Sequence, residues 1–379
     1  MADSTMLVPS VKKSVTIQDV ARAAGVGVGT VSRVINREAN KRSPKVRRVL
    51  QAIEELNYQA PHRGRPRRTP KTEANAFRPG DSFLLVLRGG GLQWILNHAP
   101  VYARALHGIE ETLSKADLNL VIRQIEDIRD VPGIARQNEA KGVLLFLHHA
   151  DAHFDSTIGN LTAVRIFGSG SSAVCDHLEI DHQAAGEMLA NHLWQRGHRC
   201  CAFIGPEAAR LTDASFTRRE AFVSRLAAEA SLLVLTTPGL IMRGPEINAV
   251  DEAHLGMLLD RFCEAQPRPT ALFCDTDIVV PGVYRGLQQR GIAPGRDVEV
   301  VGCNNDQIYL AGLSPMPTTA DVRAVELGRT SAERLLWRIS HPADPIVTLK
   351  IYPRLVIPPA EAANPIPAEP PPPRRFIQR

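Results

Sequence analysis

Residues 16–36 read TIQDVARAAGVGVGTVSRVIN, and the spacing of apolar and glycine positions in this stretch decides how the chain begins to fold. Thr16 followed three residues later by Asp19 has the pattern of a capping box, in which each residue's side chain accepts the other's backbone N–H at a helix start. Ile17, Val20, Ala21 and Ala24 repeat at helical spacing and predict a first helix of about two turns. Gly25 supplies the stop, because helices commonly end on a residue in the left-handed region. Only Val26 and Gly27 separate it from a second periodic segment, Val28 to Asn36, with Val31, Val34 and Ile35 on one face. Ser43 as N-cap and Pro44 at the first helical position open a third helix, with Val46, Val49, Leu50, Ile53 and Leu56 as its apolar stripe. Residues 14–60 are thus expected to form an all-α head of three short helices around one small core.

A three-helix bundle of this kind can be purely structural, and the charge distribution argues against that. Residues 1–80 hold 16 Lys+Arg against 6 Asp+Glu, a net of +10, within a chain whose total is +5, so the remaining 299 residues carry −5. A concentrated basic head on a mildly acidic body suggests a polyanion partner, since neutralising phosphates releases counterions. The helix, tight turn and helix fit placement of the second helix in a major groove. At 379 residues the chain is long enough for two or three domains. No run of 18 apolar residues occurs, and MADSTMLVPSVKK lacks the order of a secretory signal, so a cytoplasmic, nucleoid-associated protein without membrane contact is expected. The six cysteines show no CxxC spacing and most lie in apolar runs, which reads as buried thiols.

TIQDVARAAGVGVGTVSRVIN followed by SPKVRRVLQAIEELNY (residues 43–58) closely resembles the DNA-binding head of the lactose repressor (LacI/GalR) family. The resemblance implies a homodimer on a near-palindromic double-stranded operator, with the recognition helix beginning near Val28. Val28, Gly29 and Arg33 then occupy base-reading positions, and Thr16, Thr30, Ser32 and Asn36 complete the DNA-contact set. Side-chain chemistry agrees: Arg33 can fork onto guanine, Val28 offers apolar contact to a thymine methyl, and Gly29 offers close approach. Gly27 stands where the family usually has serine, and one extra residue sits in the loop Arg37 to Arg42.

After the third helix the family usually continues with a short hinge helix that wedges a leucine into the minor groove. This chain instead has APHRGRPRRTPKTEANAFRPG, residues 60–80. Pro61, Gly64, Pro66 and Pro70 oppose a helix, and no leucine is available. Arg63, Gly64, Arg65 and Pro66, with Arg67 and Arg68 behind, are similar to the core of an AT-hook. In such a segment glycine lets the backbone reach the groove floor and arginines sit in the negative potential of narrow A·T tracts. A basic linker that only adds phosphate affinity is the alternative for residues 61–80.

Beyond residue 80, apolar runs alternate with helical patterns: SFLLVL, NLVIRQI, KGVLLFL, AVRIF, then RCCAFIG, SLLVL, TALFC and VEVVG. Short buried strands alternating with helices predict doubly wound parallel sheets, here two α/β lobes of four or five strands each over residues 81–360. Ile180-Asp181, Arg196-Gly197-His198-Arg199, Arg218 ahead of Ala221-Phe222, PTALFCDTDIVVPGVYRGL and DVEVVGCNND resemble landmarks of the family's periplasmic-binding-protein-like effector domain. That resemblance implies a small-molecule effector, of sugar type, between the lobes, touched by Arg218 and Asp277. Asn304 replaces a common aspartate and Thr276 a common asparagine, which alters the hydroxyl pattern the site reads. Arg218 and Asp277 as members of surface ion pairs remain the plainer alternative.

In RGGGLQWILNHAP, residues 88–100, the spacing is not GxGxxG. Trp94 there is either a ring for stacking on a sugar face or a core tryptophan. HHADAH holds His148, His149, Asp151 and His153, ligand types suited to zinc, but it follows a strand and has no matching second cluster, so a surface loop and no metal are expected. Without a serine elbow, a P-loop or a supported Cys/His pair, no catalytic residues, cofactor or enzyme activity are expected. A solute-binding protein and an effector-independent architectural DNA-binding protein are the rival classes. Residues 361–379, proline-rich, read as an extended or disordered tail of no legible role.

Overall fold

The computed structural model describes residues 16–35, 43–56, 77–88, 92–98, 100–147, 153–168, 172–207, 214–243 and 248–359. The tail and most of the linker lie outside them. Two compact units divide the chain, residues 1–74 and 75–379.

The first unit contains α1 (Ile17–Ala24), α2 (Val28–Ile35) and α3 (Pro44–Glu55). Val20, Val31 and Val49 are fully buried at its centre, joined by Ala21, Ala24, Val34, Val46 and Ala52. Pro44 opens α3, although the Ser43 side chain makes no cap bond. One residue of the expected stripe is misplaced: Leu50 is half exposed, and Ala52 takes the core position. Helices of eight residues cover only a narrow strip of α3, and Leu50 lies beyond its edge.

In the second unit the N-terminal lobe runs β1 (Ser82–Arg88), α4 (Leu92–His98), α5 (Pro100–Lys115), β2 (Asn119–Ile125), α6 (Val131–Gln137), β3 (Val143–Phe146), α7 (Phe154–Ile158), β4 (Ala163–Ile166) and β5 (Asp176–Ile180). The C-terminal lobe follows with α8 (His182–Gln195), β6 (Cys200–Pro206), α9 (Ala214–Leu226), β7 (Ser231–Thr237), a hairpin of β8 (Ile241–Arg243) and β9 (Asn248–Val250), α10 (Glu252–Glu264) and β10 (Ala271–Cys274). It ends with α11 (Val280–Gln289), β11 (Glu299–Cys303), α12 (Gln307–Leu310) and β12 (Thr318–Asp321). Then α13 (Ala324–Ser340) returns to pack on α5, β13 (Thr348–Ile351) joins the first sheet beside β5, and β14 (Arg354–Val356) joins the second beside β12. The sheet orders are β13-β5-β4-β3-β1-β2 and β14-β12-β11-β10-β6-β7. Every pairing in them is parallel except β12 with β14.

The main sheet of each lobe therefore has six strands rather than four or five. All eight apolar runs of the sequence are strands, and β5, β12, β13 and β14 are the additions. In β5, DHLEI, every residue is buried despite three ionisable side chains. Asp176 accepts Nε and Nη2 of Arg338 at 2.9 and 2.8 Å, Nε of Arg334 at 2.8 Å and the Val347 amide at 2.9 Å. Lys350 on β13 pairs with Glu179 at 3.3 Å. Burial of charge is tolerated when it is matched this closely.

Close helix contact fixes the site-bearing helix α9. A Cβ at Gly186 on α8 would lie 2.3 Å from the Arg218 carbonyl oxygen and 2.9 Å from the Ala221 Cβ. Gly186→Ala should therefore force the two helices apart and lower stability by about 1–3 kcal/mol through overpacking. The reading is a lower midpoint of the body's urea transition; an unchanged midpoint would mean that α8 and α9 separate freely.

Candidate functional site

The head presents the first turn of its second helix. Thr16 and Asp19 close the capping box: the Thr16 amide donates to Asp19 Oδ2 at 2.9 Å and the Asp19 amide to Thr16 Oγ1 at 3.3 Å. The Thr16 hydroxyl also donates to Asp19 at 2.6 Å, so a phosphate would share it with that carboxylate. Gly25 takes φ 60° and ψ 43°, and the Val26 amide closes the helix end on Ala21 O at 3.0 Å. The carbonyl of Gly27 accepts the Thr30 amide at 2.8 Å and starts α2. Val31 and Val34 face the core, so Val28 and Gly29 are left exposed and Thr30 and Ser32 half-buried. A Cβ at Gly27 or Gly29 would meet nothing within 4 Å, leaving that turn open to close approach. Arg33 belongs to α2, and its side chain lies outside the described residues, as do Asn36 and the linker residues Arg63, Gly64, Arg65 and Arg67.

The second candidate site is where the carboxyl ends of the two sheets meet. Arg218, on α9, is 5% exposed. Its Nε donates to Asp275 Oδ1 at 3.0 Å, and Ser215 Oγ donates to the other oxygen at 2.6 Å. Its Nη1 lies 3.4 Å from His182 Nδ1 and 3.9 Å from Cys303 Sγ. Burial works against the guanidinium charge, and the fully buried Asp275 carboxylate outweighs it, so Arg218 stays firmly protonated. Among the described residues no acceptor takes its Nη2, the edge left for a ligand.

Asp277 is fully buried and already engaged: it accepts the Asp306 amide at 2.8 Å and the Thr319 hydroxyl at 3.0 and 3.2 Å. Burial, and then the nearby Asp306 carboxylate, push its pKa up to about 7. Asn304 Nδ2 donates to Thr276 Oγ1 at 3.0 Å and to Asp306 Oδ2 at 3.2 Å. From the other lobe, Arg104 on α5 reaches the same loop, with Nη2 on Asp306 Oδ1 at 2.7 Å. An aromatic group lies at the carboxyl ends of β3 and β4: Tyr102 stacks on Phe167 at 4.3 Å, and Phe146 meets Phe167 edge-on at 5.1 Å. Trp94 lies on α4, with its side chain outside the described residues.

Comparison with known proteins matches residues 16–60 to a model described as bacterial regulatory proteins, lacI family, and residues 190–357 to a periplasmic binding protein-like domain. The chain carries a LacI-family head followed by a periplasmic-binding-protein-like domain. Among curated relatives of this chain, the HTH-type transcriptional repressor PurR of Pasteurella multocida is 25% identical over 353 residues, covering 90% of this chain and 97% of PurR. A complex of the transcriptional regulator CelR with cellobiose is 24% identical, covers 90% and 98% of the two chains, and has a TM-score of 0.57. The lac repressor dimer bound to operator and the anti-inducer ONPF is 20% identical, with 91% and 98% covered and a TM-score of 0.57. At these identities the two structures speak for the fold, and the matched relatives are regulators rather than enzymes.

The structure brings together three of the four carried-over effector residues, Arg218, Asp277 and Asn304, and gives them unequal positions. Arg218 keeps Nη2 without an acceptor among the described residues, whereas Asp277 holds the loop that carries Asn304. The two departures from the LacI-family pattern, Thr276 and Asn304, bond to each other. Asp275, Ser215, Thr319, Asp306 and Arg104 were not legible as site residues. Asp275 stands two residues from Asp277 in CDTD, and only the fold shows which carboxylate faces Arg218; Arg104 lies 200 residues from the loop it touches. Of the HHADAH loop only His153 is described, preceding α7; no group of His, Cys, Asp and Glu suited to a metal occurs among the described residues. Four cysteines are buried, while Cys200 and Cys263 are half-buried. No described helix is long and apolar enough to cross a membrane.

Proposed function

We propose that this LacI-family regulator is a repressor that binds a near-palindromic operator as a homodimer, and that a small neutral metabolite of sugar type, held between its lobes, modulates that binding. One observation carries the reading: the exposed start of α2 on a compact basic head shares a chain with a two-lobed domain whose cleft holds a buried, charge-matched arginine with one free edge. Two recognition helices related by a two-fold axis would enter successive major grooves, with Val28, Gly29 and Arg33 at base edges and Thr16, Thr30, Ser32 and Asn36 around them. Arg63, Gly64, Arg65 and Arg67 would follow the minor groove between half-sites. In the cleft, Arg218 and Asn304 offer the planar, multidentate partners that hydroxyls favour, and Trp94 a ring face. The cellobiose bound by CelR supports a saccharide for this chain.

Selection of binding sites from random duplexes, run at one fixed salt concentration on wild type and Arg63→Ala/Arg65→Ala, tests the DNA side. Two half-sites flanking an A·T-rich element that the double variant no longer selects is the expected result. Selection of the same sites by both proteins, with the variant only weaker, would make residues 61–80 an electrostatic linker; absence of paired half-sites would sink the dimeric operator reading. On the ligand side, a saccharide at 100 times its dissociation constant should stabilise the body by about 2.7 kcal/mol.

A further inference from the structure

We propose that Arg104 is a positioning residue of the interlobe cleft: it fixes the loop that carries Asn304 and makes closure of the two lobes dependent on proton uptake and release. The guanidinium comes from α5 in the N-terminal lobe, and all three of its acceptors belong to one loop of the C-terminal lobe. Nη1 donates to Asn305 O at 2.9 Å, and Nη2 donates to Asn304 O at 2.8 Å and Asp306 Oδ1 at 2.7 Å. Two successive carbonyls converge on one cation where Asn304 and Asn305 both take positive φ, 115° and 60°. Non-glycine residues resist that region, so the contact holds the loop in a shape it would otherwise leave. Among the described residues no acceptor meets the buried Arg104 Nε, an arrangement worse for stability alone than for gripping this loop. The inference concerns the bridge between lobes and stands whichever molecule enters the cleft.

The surrounding charges give the sign. Facing Asp306 and Asp277 are Arg104 from α5, Arg218 from α9, Asp275 after β10, Cys303 at the end of β11, Tyr309 on α12 and Asp321 on β12, with Cys274 beneath and His182 beyond Arg218. Arg218 is matched by Asp275, and Asp321 by Arg354 at 3.0 Å. Arg104 offsets the Asp306 and Asp277 pair, with Arg218 adding to it at Asp306, while burial first, and mutual repulsion for Asp277, push the pair toward the protonated form. Opening the lobes withdraws Arg104, while Asp277 stays under Thr319 and the Asp306 amide in its own lobe. The pair then keeps its proton to higher pH. Opening takes up a proton, and raising pH through about 7 favours the bridged state.

The test is hydrogen–deuterium exchange of the full chain without ligand, comparing wild type, Arg104→Gln and Arg104→Lys at about pH 6 and about pH 8 after correction for intrinsic exchange chemistry. Wild type should be about tenfold better protected over residues 304–309 at the higher pH, a difference of one charge-assisted bond. Arg104→Gln should exchange about tenfold faster there at the higher pH and lose the pH dependence, with α8 and β6 unchanged. Arg104→Lys should retain the pH dependence with partial protection. Wild-type protection that is flat with pH, or a glutamine variant that matches wild type, would overturn the proposal. If the glutamine variant does not fold, a lysine variant identical to wild type at both pH values overturns it equally.

Discussion

Replacing Arg33 with alanine should cost operator binding about 1–3 kcal/mol, a loss of roughly 5- to 150-fold, and should relax base preference at one position of each half-site. α2 offers little at its exposed turn. Val28 brings only methyl groups, Gly29 brings no side chain, and a Cβ at either glycine of the turn would meet open space. With so little else to read hydrogen-bonding edges, the guanidinium would carry an outsized share of direct readout. Binding isotherms on a selected operator and on its single-base variants at constant salt check this. A uniform loss across all sequences, accompanied by a salt slope shallower by about one, would make Arg33 a phosphate contact instead.

The second large effect is expected at Arg218. Arg218→Ala leaves Asp275 fully buried with Ser215 as its remaining described side-chain partner, and breaking a buried ion pair by removing one member is destabilising by about 3–5 kcal/mol. The same change removes the free guanidinium edge from the cleft. Urea unfolding should show the stability loss, and saccharide-induced stabilisation should disappear. Arg218→Lys keeps the charge but not the planar fork, so it should recover part of the stability and little of the ligand response. Full ligand response in the lysine variant would move the recognition role elsewhere in the cleft.

What the sequence made legible follows from where periodicity and charge agree. The head was readable because helix starts, stops and apolar stripes are local signals, and the capping box of Thr16 and Asp19 forms as its spacing suggests. The eight apolar strands were readable for the same reason. β5 was not, because Asp176, His177 and Glu179 interrupt its apolar pattern, and their partners on β4, β13 and α13 are brought to them only by the fold. The cleft is similar: motif position cannot tell a carboxylate that faces an arginine, as Asp275 does, from one that ties down a loop, as Asp277 does.

The return of the last strands to both sheets has a consequence for how the protein is made. β13 completes the edge of the first sheet and β14 that of the second, and both lie within residues 348–356. Neither lobe can finish its sheet until nearly the whole body has left the ribosome, whereas the head, whose described core lies between residues 16 and 56, is free to fold early. During synthesis a finished DNA-binding module thus precedes both halves of its own regulator, and the two halves mature together rather than one after the other.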